Sequence, residues 1–377
     1  MIVVTFNDSF SGIYKSQVLD VCRMLQDKHK VPVKLLAFVS LRNYSAQRKQ
    51  IKANYEQATV LPMFPKVGFW RWNIFLFFWA VLFLRDNKIW ARGPFAANLA
   101  VSLKKTGLVK KVIFDARGAY QAELTEYSVI ADATVVAQIE AIEKRALNES
   151  TAQLAVSEKL REWWKQKYSF IPSASVVIPC TLSSFFVKEL HEGEIAELRK
   201  KNGYGQEDIV IVYSGSSAGW QSFELIHDYL FKQFQKNEQL HLIFMSDQIP
   251  DTLPLFKEFG NRVSKKWVKP GEVRDVLLCA DYGLLIREES VTNYVSSPVK
   301  FAEYLSCGLQ VIISGGIGDF TGFVREHRCG FLFNEAHNPV KPTVEQKKKA
   351  NSLALQYFSK DAVSNTEAYA KLLTYLE

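Results

Sequence analysis

A lysine and a glutamate stand three residues apart in the segment SSPVKFAEYLSCGLQVIIS, residues 296–314. Pro298 suits the first position of a helix because it lacks the N–H group that would have no partner there, and Ser297 before it is a typical N-cap. The spacing puts Lys300 and Glu303 on one face of that helix. The free N–H groups and the positive end of a helix attract anions. The segment therefore predicts either a diphosphate site beside a sugar hydroxyl, or an ordinary capped helix with a solvated ion pair.

The same segment predicts a helix that leads directly into a strand. Gly308 is expected to end the helix, and the apolar residues 309–314 are expected to form a buried strand. Strands of this kind are predicted at residues 2–6, 33–39, 58–62, 88–93, 111–117, 151–157, 175–179, 208–215, 241–247, 262–268, 282–287, 309–314 and 330–334. Helix-length segments lie between them, for example 13–28, 95–105 and 121–147. This alternation favours an α/β fold with parallel sheets covered by helices on both faces.

The length of 377 residues is sufficient for two domains. The strand pattern loosens after Pro179 and begins again at residue 208, which predicts a hinge near residues 178–184. We predict a doubly wound N-terminal domain over residues 1–180 and a second doubly wound domain over residues 185–355. The C-terminal helix, within residues 356–377, is expected to pack back on the first domain.

Ligands of open α/β sheets bind beyond the carboxyl ends of the strands. Glycine and polar residues follow several of the predicted strands at those ends: Gly12, Asp115, Arg117, residues 214–219, Arg287 and residues 315–319. A single glycine-rich turn is weak evidence, because turns need glycine in any fold. Their recurrence in two similar halves predicts one ligand cleft between two sheets whose loop ends face each other.

The charge and cysteine content bound the partners and the compartment. A formal net charge of +8 favours acidic partners such as nucleotides or phospholipid head groups. The basic residues are spread along the chain without a recognised nucleic-acid module, so no nucleic-acid partner is expected. Five cysteines without a CxxC pair indicate a reducing compartment. The first apolar run turns polar at Asn7, too early for a signal peptide, so we expect a cytoplasmic protein.

Several motifs that would indicate other enzyme classes are absent from the sequence. There is no P-loop, no HExxH, no Cys/His zinc spacing and no GxGxxG, which argues against nucleotide kinases, zinc hydrolases and dehydrogenases. No Asp-x-Asp occurs, so the metal–carboxylate clamp of many nucleotide-sugar enzymes is missing. We therefore expect chemistry that needs no metal.

One segment, residues 68–88, resembles a membrane helix in composition. Its uninterrupted apolar run, residues 74–84, is shorter than the ~20 residues that span a bilayer. We favour a buried helix and keep an anionic membrane surface, contacted through residues 66–88, as the alternative partner. Aromatic and cationic residues at one end of the run suit such an interface: Trp70, Arg71, Trp72 and, upstream, Arg42, Arg48, Lys49, Lys52 and Lys66.

Four segments, taken in order, resemble motifs of one family across nearly the whole chain. They are FDARGAYQAE (114–123), VVIPCTLSSFF (176–186), VYSGSSAGW (212–220) and SPVKFAEYLSCGLQVII (297–313), the last followed by GGIGD. They are similar to motifs of the bacterial GT-B glycosyltransferases of the large retaining group that builds capsules, O-antigens and other lipid-linked glycans. The resemblance implies two Rossmann-like domains facing across a cleft. It also implies transfer of a sugar from a nucleotide-diphosphate sugar to a glycan acceptor, with retention and without a cofactor.

The resemblance also implies roles for the matching residues. The donor-binding set is Gly12, Gly215, Arg287, Ser297, Lys300, Glu303, Gly316 and Asp319. Glu303 would bind the ribose, and Lys300 with Arg287 would neutralise the diphosphate. Asp115, Arg117 and Glu303 form the implied catalytic set, and Glu123 lies on the acceptor side. On the residues alone, Asp115 with Arg117 also fits an internal salt bridge, and Asp319 also fits a helix cap at Phe320.

The chain departs from the family pattern in three places. Val295 stands where the family has the first glutamate of a pair, and Gln310 stands where it has proline. The Arg-Lys pair that often follows the SGSSAG turn is also missing; Gln221 and Phe223 stand nearby. Two other functions therefore stay open. One is a non-catalytic homologue that acts as an assembly partner on the inner membrane face, where the enzyme itself is also expected as a peripheral protein. The other is a nucleotide-sugar epimerase, which usually requires a histidine in its cleft.

Overall fold

The computed structural model describes residues 1–64, 66–127, 130, 132–171, 173–215, 222–246, 249–250 and 252–377. The chain forms two compact units. The first comprises Met1–Ser183, Val295–Ser297 and Val363–Glu377, and the second comprises Ser184–Tyr294 and Pro298–Ala362. The chain thus passes from the first unit to the second after Ser183, and its last helix belongs to the first unit.

The first unit contains a seven-stranded parallel sheet in the described residues, with strand order β3-β2-β1-β4-β5-β6-β7. Its strands are β1 (Ile2–Phe6), β2 (Lys34–Val39), β3 (Thr59–Pro62), β4 (Lys88–Arg92), β5 (Lys111–Asp115), β6 (Ala152–Ala155) and β7 (Ser175–Val177). Its helices are α1 (Gly12–Tyr14), α2 (Asp20–Asp27), α3 (Tyr44–Asn54), α4 (Asn73–Leu84), α5 (Pro94–Lys104), α6 (Tyr120–Tyr127), α7 (Ala133–Glu149), α8 (Glu158–Tyr168) and, from the chain end, α17 (Val363–Thr374).

The second unit contains a six-stranded parallel sheet in the described residues, with strand order β10-β9-β8-β11-β12-β13. Its strands are β8 (Ile209–Ser214), β9 (Leu240–Met245), β10 (Val263–Lys265), β11 (Tyr282–Leu285), β12 (Gln310–Ile313) and β13 (Gly330–Leu332). Its helices are α9 (Glu192–Lys201), α10 (Phe223–Lys236), α11 (Pro254–Phe259), α12 (Val273–Leu278), α13 (Val291–Tyr294), α14 (Val299–Ser306), α15 (Phe320–His327) and α16 (Val344–Phe358).

The prediction of an α/β fold with two doubly wound sheets is confirmed. Every predicted strand is present, most of them shortened at one or both ends; the prediction over 262–268, for example, becomes Val263–Lys265. The single helix predicted over 121–147 is wrong, because the chain forms α6 and α7 there instead. Asp132 caps the second of these helices, since its carboxylate accepts from the N–H groups of Thr134 and Val135.

In each sheet the strand order reverses at one point, the topological switch point. In the first unit the point lies between β1 and β4, and in the second it lies between β8 and β11. The connections on either side of such a point diverge and leave a crevice at the carboxyl ends of the strands. The register of β4 and β5 pairs Arg92 with Asp115, so these two charged residues are neighbours at that edge.

The prediction for the start of α14 is wrong by one residue. Pro298 occupies the N-cap position with ψ 121° and the helix begins at Val299. Ser297 does not cap it, because its hydroxyl oxygen accepts the N–H of Cys180 at 2.9 Å instead. Gly308 ends the helix as predicted, with a φ of +79° that only glycine adopts without strain.

A buried carboxylate stabilises the second unit at the start of β11. Asp281 is fully buried and lies 3.1 Å from Arg199, 2.9 Å from Lys341 and 2.7 Å from Lys347. Burial by itself would raise the pKa of Asp281, but Lys347, Arg199 and Lys341 outweigh burial and hold it below its ordinary value. This carboxylate therefore contributes stability above its ordinary pKa, and the contribution is lost as the pH falls through the lowered pKa.

The apolar segment predicted as a buried helix is buried on one face only. A 3₁₀ turn, Val67–Trp72, leads into α4. Within the described residues, Val67–Leu84 is a helical segment long and apolar enough to cross a membrane by length and composition, which is weak evidence by itself. Only 28% of these residues are buried. The prediction of burial is therefore wrong for the outer face.

Candidate functional site

Arg287 follows β11 at the switch point of the second sheet and is buried. Its backbone N–H donates to Oγ of Ser314 at 2.7 Å, and that hydroxyl donates to the carbonyl oxygen of Arg287 at 2.7 Å. Its Nη1 donates to Oδ1 of Asn293 at 3.2 Å. Because Ser314 directly follows β12, the Arg287 backbone is tied to the ends of two neighbouring strands. A fixed guanidinium at this place is suited to bind a phosphate.

The helix α14 has the polar face that the sequence predicts. Lys300 Nζ lies 2.9 Å from Glu303 Oε2, and both side chains are partly accessible to solvent. The opposite face is buried, with Phe301, Ala302, Tyr304 and Leu305 in the core. Lys300 and Glu303 thus stand one turn apart on the accessible face of the first turns of α14. The Phe301 N–H donates to the Pro298 carbonyl oxygen at 3.1 Å, so the N–H groups of Val299 and Lys300 are those that the helix itself leaves without an acceptor.

Tyr304 fixes α14 against the central strands. Its hydroxyl accepts the N–H of Ser214 at 3.0 Å, and Ser214 is the last residue of β8. A Cβ atom at Gly283, in β11, would lie 2.3 Å from the Tyr304 ring, so this close approach requires glycine there. The helix carrying Lys300 is therefore held against β8 and β11, the two strands at the switch point.

The glycine residues predicted for the donor site lie in turns after the strands. Gly316 has a φ of +71°, and a Cβ atom there would have no neighbour within 4 Å. Asp319 occupies the N-cap position of α15, but its side chain makes no capping hydrogen bond. Gly215 follows β8, and the next residues, 216–221, lie outside the described residues.

A second cluster of charged residues lies in the first unit, at the carboxyl ends of β1, β4 and β5. It surrounds a pocket of about 270 Å³. The pocket is lined by Phe6, Asn7, Asp8, Arg92, Gly93, Pro94, Phe95, Arg117, Tyr120, Glu123, Leu124, Ile130 and Ile139. Gly12 is not part of this lining. It is the first residue of α1, after the N-cap Ser11, and a Cβ atom at Gly12 would have no neighbour within 4 Å. The structure thus brings Arg117 and Glu123 to one pocket.

Asp115 forms the internal salt bridge that the sequence allowed. It is buried, and its carboxylate accepts from Trp90 Nε1 at 3.1 Å and Arg117 Nη1 at 3.3 Å. Arg92 Nη1 lies 3.7 Å from the same carboxylate. Asp115 is not among the lining residues, whereas both arginines are. Its geometry is therefore that of a positioning residue, which fixes two guanidinium groups at the pocket wall.

Arg117 is also held from the opposite side. Its Nη2 donates to Oε1 of Gln17 at 2.9 Å, and Nε2 of Gln17 donates to the carbonyl oxygen of Thr181 at 2.6 Å. Burial by itself would lower the pKa of Arg117, but Asp115, together with Cys180, Tyr369 and Tyr120, raises it above its ordinary value. The guanidinium is consequently a permanent, oriented cation.

Glu123 is half-buried at the pocket and lies one turn after Tyr120 on α6. Burial, reinforced by Glu126, raises the pKa of Glu123 to about 7. A Cβ atom at residue 118 would lie 2.3 Å from Oε1 of Glu123, so Gly118 makes room for this carboxylate. A carboxylate with this pKa gains and loses its proton near neutral pH, as a general acid or base requires.

Three ionisable residues of the pocket lining were missed in the sequence: Asp8, Arg92 and Tyr120. Burial raises the pKa of Asp8 although Arg92, 3.6 Å away, opposes the shift. Position in the sheet could have identified two of them, because Asp8 follows β1 and Arg92 ends β4, the two strands at the switch point. That signal requires the strand order, which the sequence does not state. Among the described residues, no three His, Cys, Asp or Glu side chains are grouped as metal ligands.

Glu143 supports the start of α6 from the neighbouring helix α7. Its Oε2 accepts the N–H of Gln121 at 3.0 Å and the hydroxyl of Tyr168 at 3.2 Å. Burial raises the pKa of Glu143 to about 8, although these hydrogen bonds oppose the shift. Glu143 therefore acts on Tyr120 and Glu123 through the position of their helix.

We expect Glu143→Gln to change how stability depends on pH. In the wild type, unfolding releases a proton between the ordinary pKa of 4.5 and the raised value of about 8, so stability falls as the pH rises through this range. Glutamine keeps an acceptor for Gln121 and cannot ionise. Between pH 5 and pH 9 the unfolding free energy should shift in favour of the variant by about 4 kcal/mol, measured by urea unfolding. Glu140→Gln, at a solvent-exposed site on the same helix, is the control and should show no such shift.

Comparison with solved structures identifies the architecture. HepE from Anabaena aligns with a TM-score of 0.70 at 13% identity, over 99% of both chains. A glycosyltransferase from Rickettsia africae aligns with a TM-score of 0.69 at 12% identity, over 100% of this chain and 98% of that one. WaaG, a glycosyltransferase involved in lipopolysaccharide biosynthesis, aligns with a TM-score of 0.58 at 11% identity, over 100% and 94%.

The chain has the GT-B fold. At these identities the likeness concerns the fold alone. No protein-family model matches the chain, and no curated protein matches its sequence. The resemblance drawn from the four motifs is supported at the level of GT-B architecture.

Proposed function

We propose that this protein is a glycosyltransferase that takes a sugar from a nucleotide-diphosphate sugar. The proposal rests on two cations of the second unit: Arg287, fixed at the switch point of its sheet, and Lys300, on the first turn of α14, whose Tyr304 is held against β8 and β11. Phosphate oxygens are the ligands that such a site prefers. Structures of HepE have been solved with UDP and with UDP-glucose, which supports a donor of this class for the same fold.

The proposed mechanism stabilises the leaving group. As the glycosidic bond breaks, negative charge develops on the nucleoside diphosphate. Arg287, Lys300 and the start of α14 are fixed before the reaction, so they stabilise this charge without reorganisation and without a metal. Glu303 would hold the ribose hydroxyls one turn further along the helix. Val295 leaves the family's first glutamate position without a carboxylate. Glu288, Glu289 or Asn293 would substitute for that carboxylate, and Arg287 for the cation that the family has after the SGSSAG turn.

We assign the acceptor to the pocket of the first unit. Arg92 and Arg117 supply donors for sugar hydroxyls, and Glu123 supplies an acceptor whose charge changes near neutral pH. We further propose that the acceptor is a lipid-linked glycan, that the anomeric configuration is retained, and that the enzyme acts in the cytoplasm as a peripheral protein on the inner membrane face in cell-surface polysaccharide synthesis. The motif resemblance supports the acceptor class, the retention and the polysaccharide role. The five cysteines without a CxxC pair support the cytoplasm, and the aromatic and basic residues within and near 66–88 support the membrane surface.

Calorimetric titration of the purified protein with UDP, GDP and ADP, with and without Mg²⁺, tests the proposal. We expect one nucleotide to bind, with the same affinity in both conditions. If the folded protein binds none of them, the non-catalytic assembly partner becomes the better interpretation. If the matching nucleotide sugar is consumed without any acceptor and yields an epimer, the epimerase does.

A further inference from the structure

The outer face of α4 and of the turn before it carries a continuous aromatic stripe. Trp72, Phe75, Trp79 and Phe83 follow one another at intervals of three and four residues, which places them on one side of a helix. Their exposed fractions are 57%, 59%, 68% and 80%. A helix that is apolar all round is normally enclosed by other apolar matter. Here the protein encloses only one side.

The inner side of the same segment is anchored. The Phe77 ring packs edge-on against Phe38 with centroids 6.2 Å apart, and Trp70 packs against Phe95 at 5.4 Å. The buried amide of Asn73 donates to the carbonyl oxygen of Trp70 and accepts the N–H of Phe64. The aromatic stripe is therefore held outward by a packed core and cannot turn inward without breaking these contacts.

The buried contacts of α4 argue against a spanning helix in this folded unit. The twelve residues of α4 alone rise about 18 Å, whereas the hydrocarbon core of a bilayer is about 30 Å thick, and the preceding turn departs from helical geometry at Phe69. Insertion across the bilayer would withdraw Phe77 and Asn73 from the core. A helix whose outer face alone is apolar and aromatic fits the interface of a bilayer, where tryptophan and phenylalanine are favoured.

Exposed cations lie at both ends of the stripe. Lys66 and Arg71 precede it, and Arg85 follows it in a left-handed conformation. Arg85 lines an open groove of about 530 Å³ together with Leu82, Asn87 and Leu108. The acidic residue in this groove, Asp86, forms an ion pair with the N-terminal amine of Met1. The stripe therefore combines an apolar surface with positive charge at each end.

We propose that this face of the first unit docks on an anionic phospholipid bilayer, with α4 lying parallel to the membrane plane. Trp72, Phe75, Trp79 and Phe83 enter the interface, and Lys66, Arg71 and Arg85 contact lipid phosphates. A second copy of the chain is a poorer occupant. In a symmetric dimer with parallel α4 helices, each cation would lie opposite the same residue of the second copy. With antiparallel helices, Arg71 would lie opposite Arg85. Cations would therefore oppose cations in both arrangements. The proposal does not depend on sugar transfer, because lipid binding is measured separately from nucleotide binding.

Co-sedimentation of the full chain with vesicles tests the proposal, using phosphatidylcholine alone and phosphatidylcholine with phosphatidylglycerol. We expect binding to the anionic vesicles only. Trp79→Ala with Phe83→Ala should weaken it on the order of a hundredfold, because two exposed aromatic side chains no longer leave water. Lys66→Gln with Arg85→Gln should weaken it about tenfold or more. Trp267→Ala, which removes a tryptophan that is 71% exposed on the second unit, is the matched control and should bind as the wild type does.

Four outcomes would overturn the proposal. They are no binding to anionic vesicles, equal binding to neutral vesicles, unchanged binding by Trp79→Ala with Phe83→Ala, and a dimer that this double variant dissociates while no vesicle binds. Thermal unfolding of each variant should match the wild type, since the replaced side chains are exposed. Nucleotide titration of the same variants should also be unchanged, so a loss of lipid binding is distinguished from a failure of the donor site.

Discussion

Lys300→Ala is expected to lower kcat/KM for sugar transfer by about a hundredfold to a thousandfold. Lys300 lies on the first turn of α14, with its ammonium 2.9 Å from Glu303 Oε2, and we propose that it neutralises charge that develops on the leaving diphosphate. Its loss should therefore also weaken binding of the nucleoside diphosphate. The fold should persist, because the Lys300 side chain is partly exposed and supports no core contact in the described residues. Release of nucleoside diphosphate from the donor named by calorimetry measures the effect.

The control is Lys348→Ala, in the same unit. Lys348 also pairs with a glutamate, Glu192 at 2.6 Å, and both side chains are more than half exposed. If Lys300 and Glu303 were only a solvated pair, both alanine variants would behave alike, since exposed ion pairs contribute about 0–1 kcal/mol to stability and nothing to turnover. Wild-type turnover and nucleotide affinity in Lys300→Ala would remove Lys300 from the donor site. Glu303→Ala should weaken nucleoside binding, and binding of inorganic diphosphate should change less.

The parts of the fold that depend on residues close together in the sequence were predictable. Short apolar runs indicate strands. Gly308 indicates the end of α14, because a helix commonly ends at a residue with positive φ and glycine adopts that conformation most easily. The polar face carrying Lys300 and Glu303 follows from helix geometry. The start of α14 was not predictable, because Ser297 bonds to Cys180, which is more than 100 residues away along the chain.

The features that the sequence did not show depend on strand order. Arg92 and Asp115 are separated by more than 20 residues, and only the β4–β5 register makes them neighbours. Asp281 meets Arg199, Lys341 and Lys347 from three different parts of the second unit. The outer face of α4 was misjudged for a related reason. Apolar composition shows that a helix avoids water, but it does not show whether the protein covers both sides.

Glu123→Gln is expected to lower the transfer rate by about a hundredfold to ten-thousandfold and to remove its rise with pH. Burial, reinforced by Glu126, raises the pKa of Glu123 to about 7. In the wild type the rate should therefore rise as the pH passes through about 7, where Glu123 becomes able to accept a proton from the acceptor hydroxyl. Glutamine has nearly the same shape and cannot take that proton.

Two further observations separate a chemical role of Glu123 from a structural one. Because the folded pKa lies above the ordinary value of 4.5, ionisation of Glu123 costs stability as the pH rises from 4.5 to about 7. The glutamine variant does not bear this cost and should be at least as stable as the wild type at pH 8. Glu126→Gln removes one negative charge from an exposed position on the same helix. This variant should keep the wild-type rate and pH profile, apart from a small downward shift of the apparent pKa of Glu123. If Glu123→Gln kept the wild-type rate at every pH, Glu123 would not be the group that accepts the proton of the acceptor hydroxyl. The leaving diphosphate, held by Arg287 and Lys300, would then be the better base.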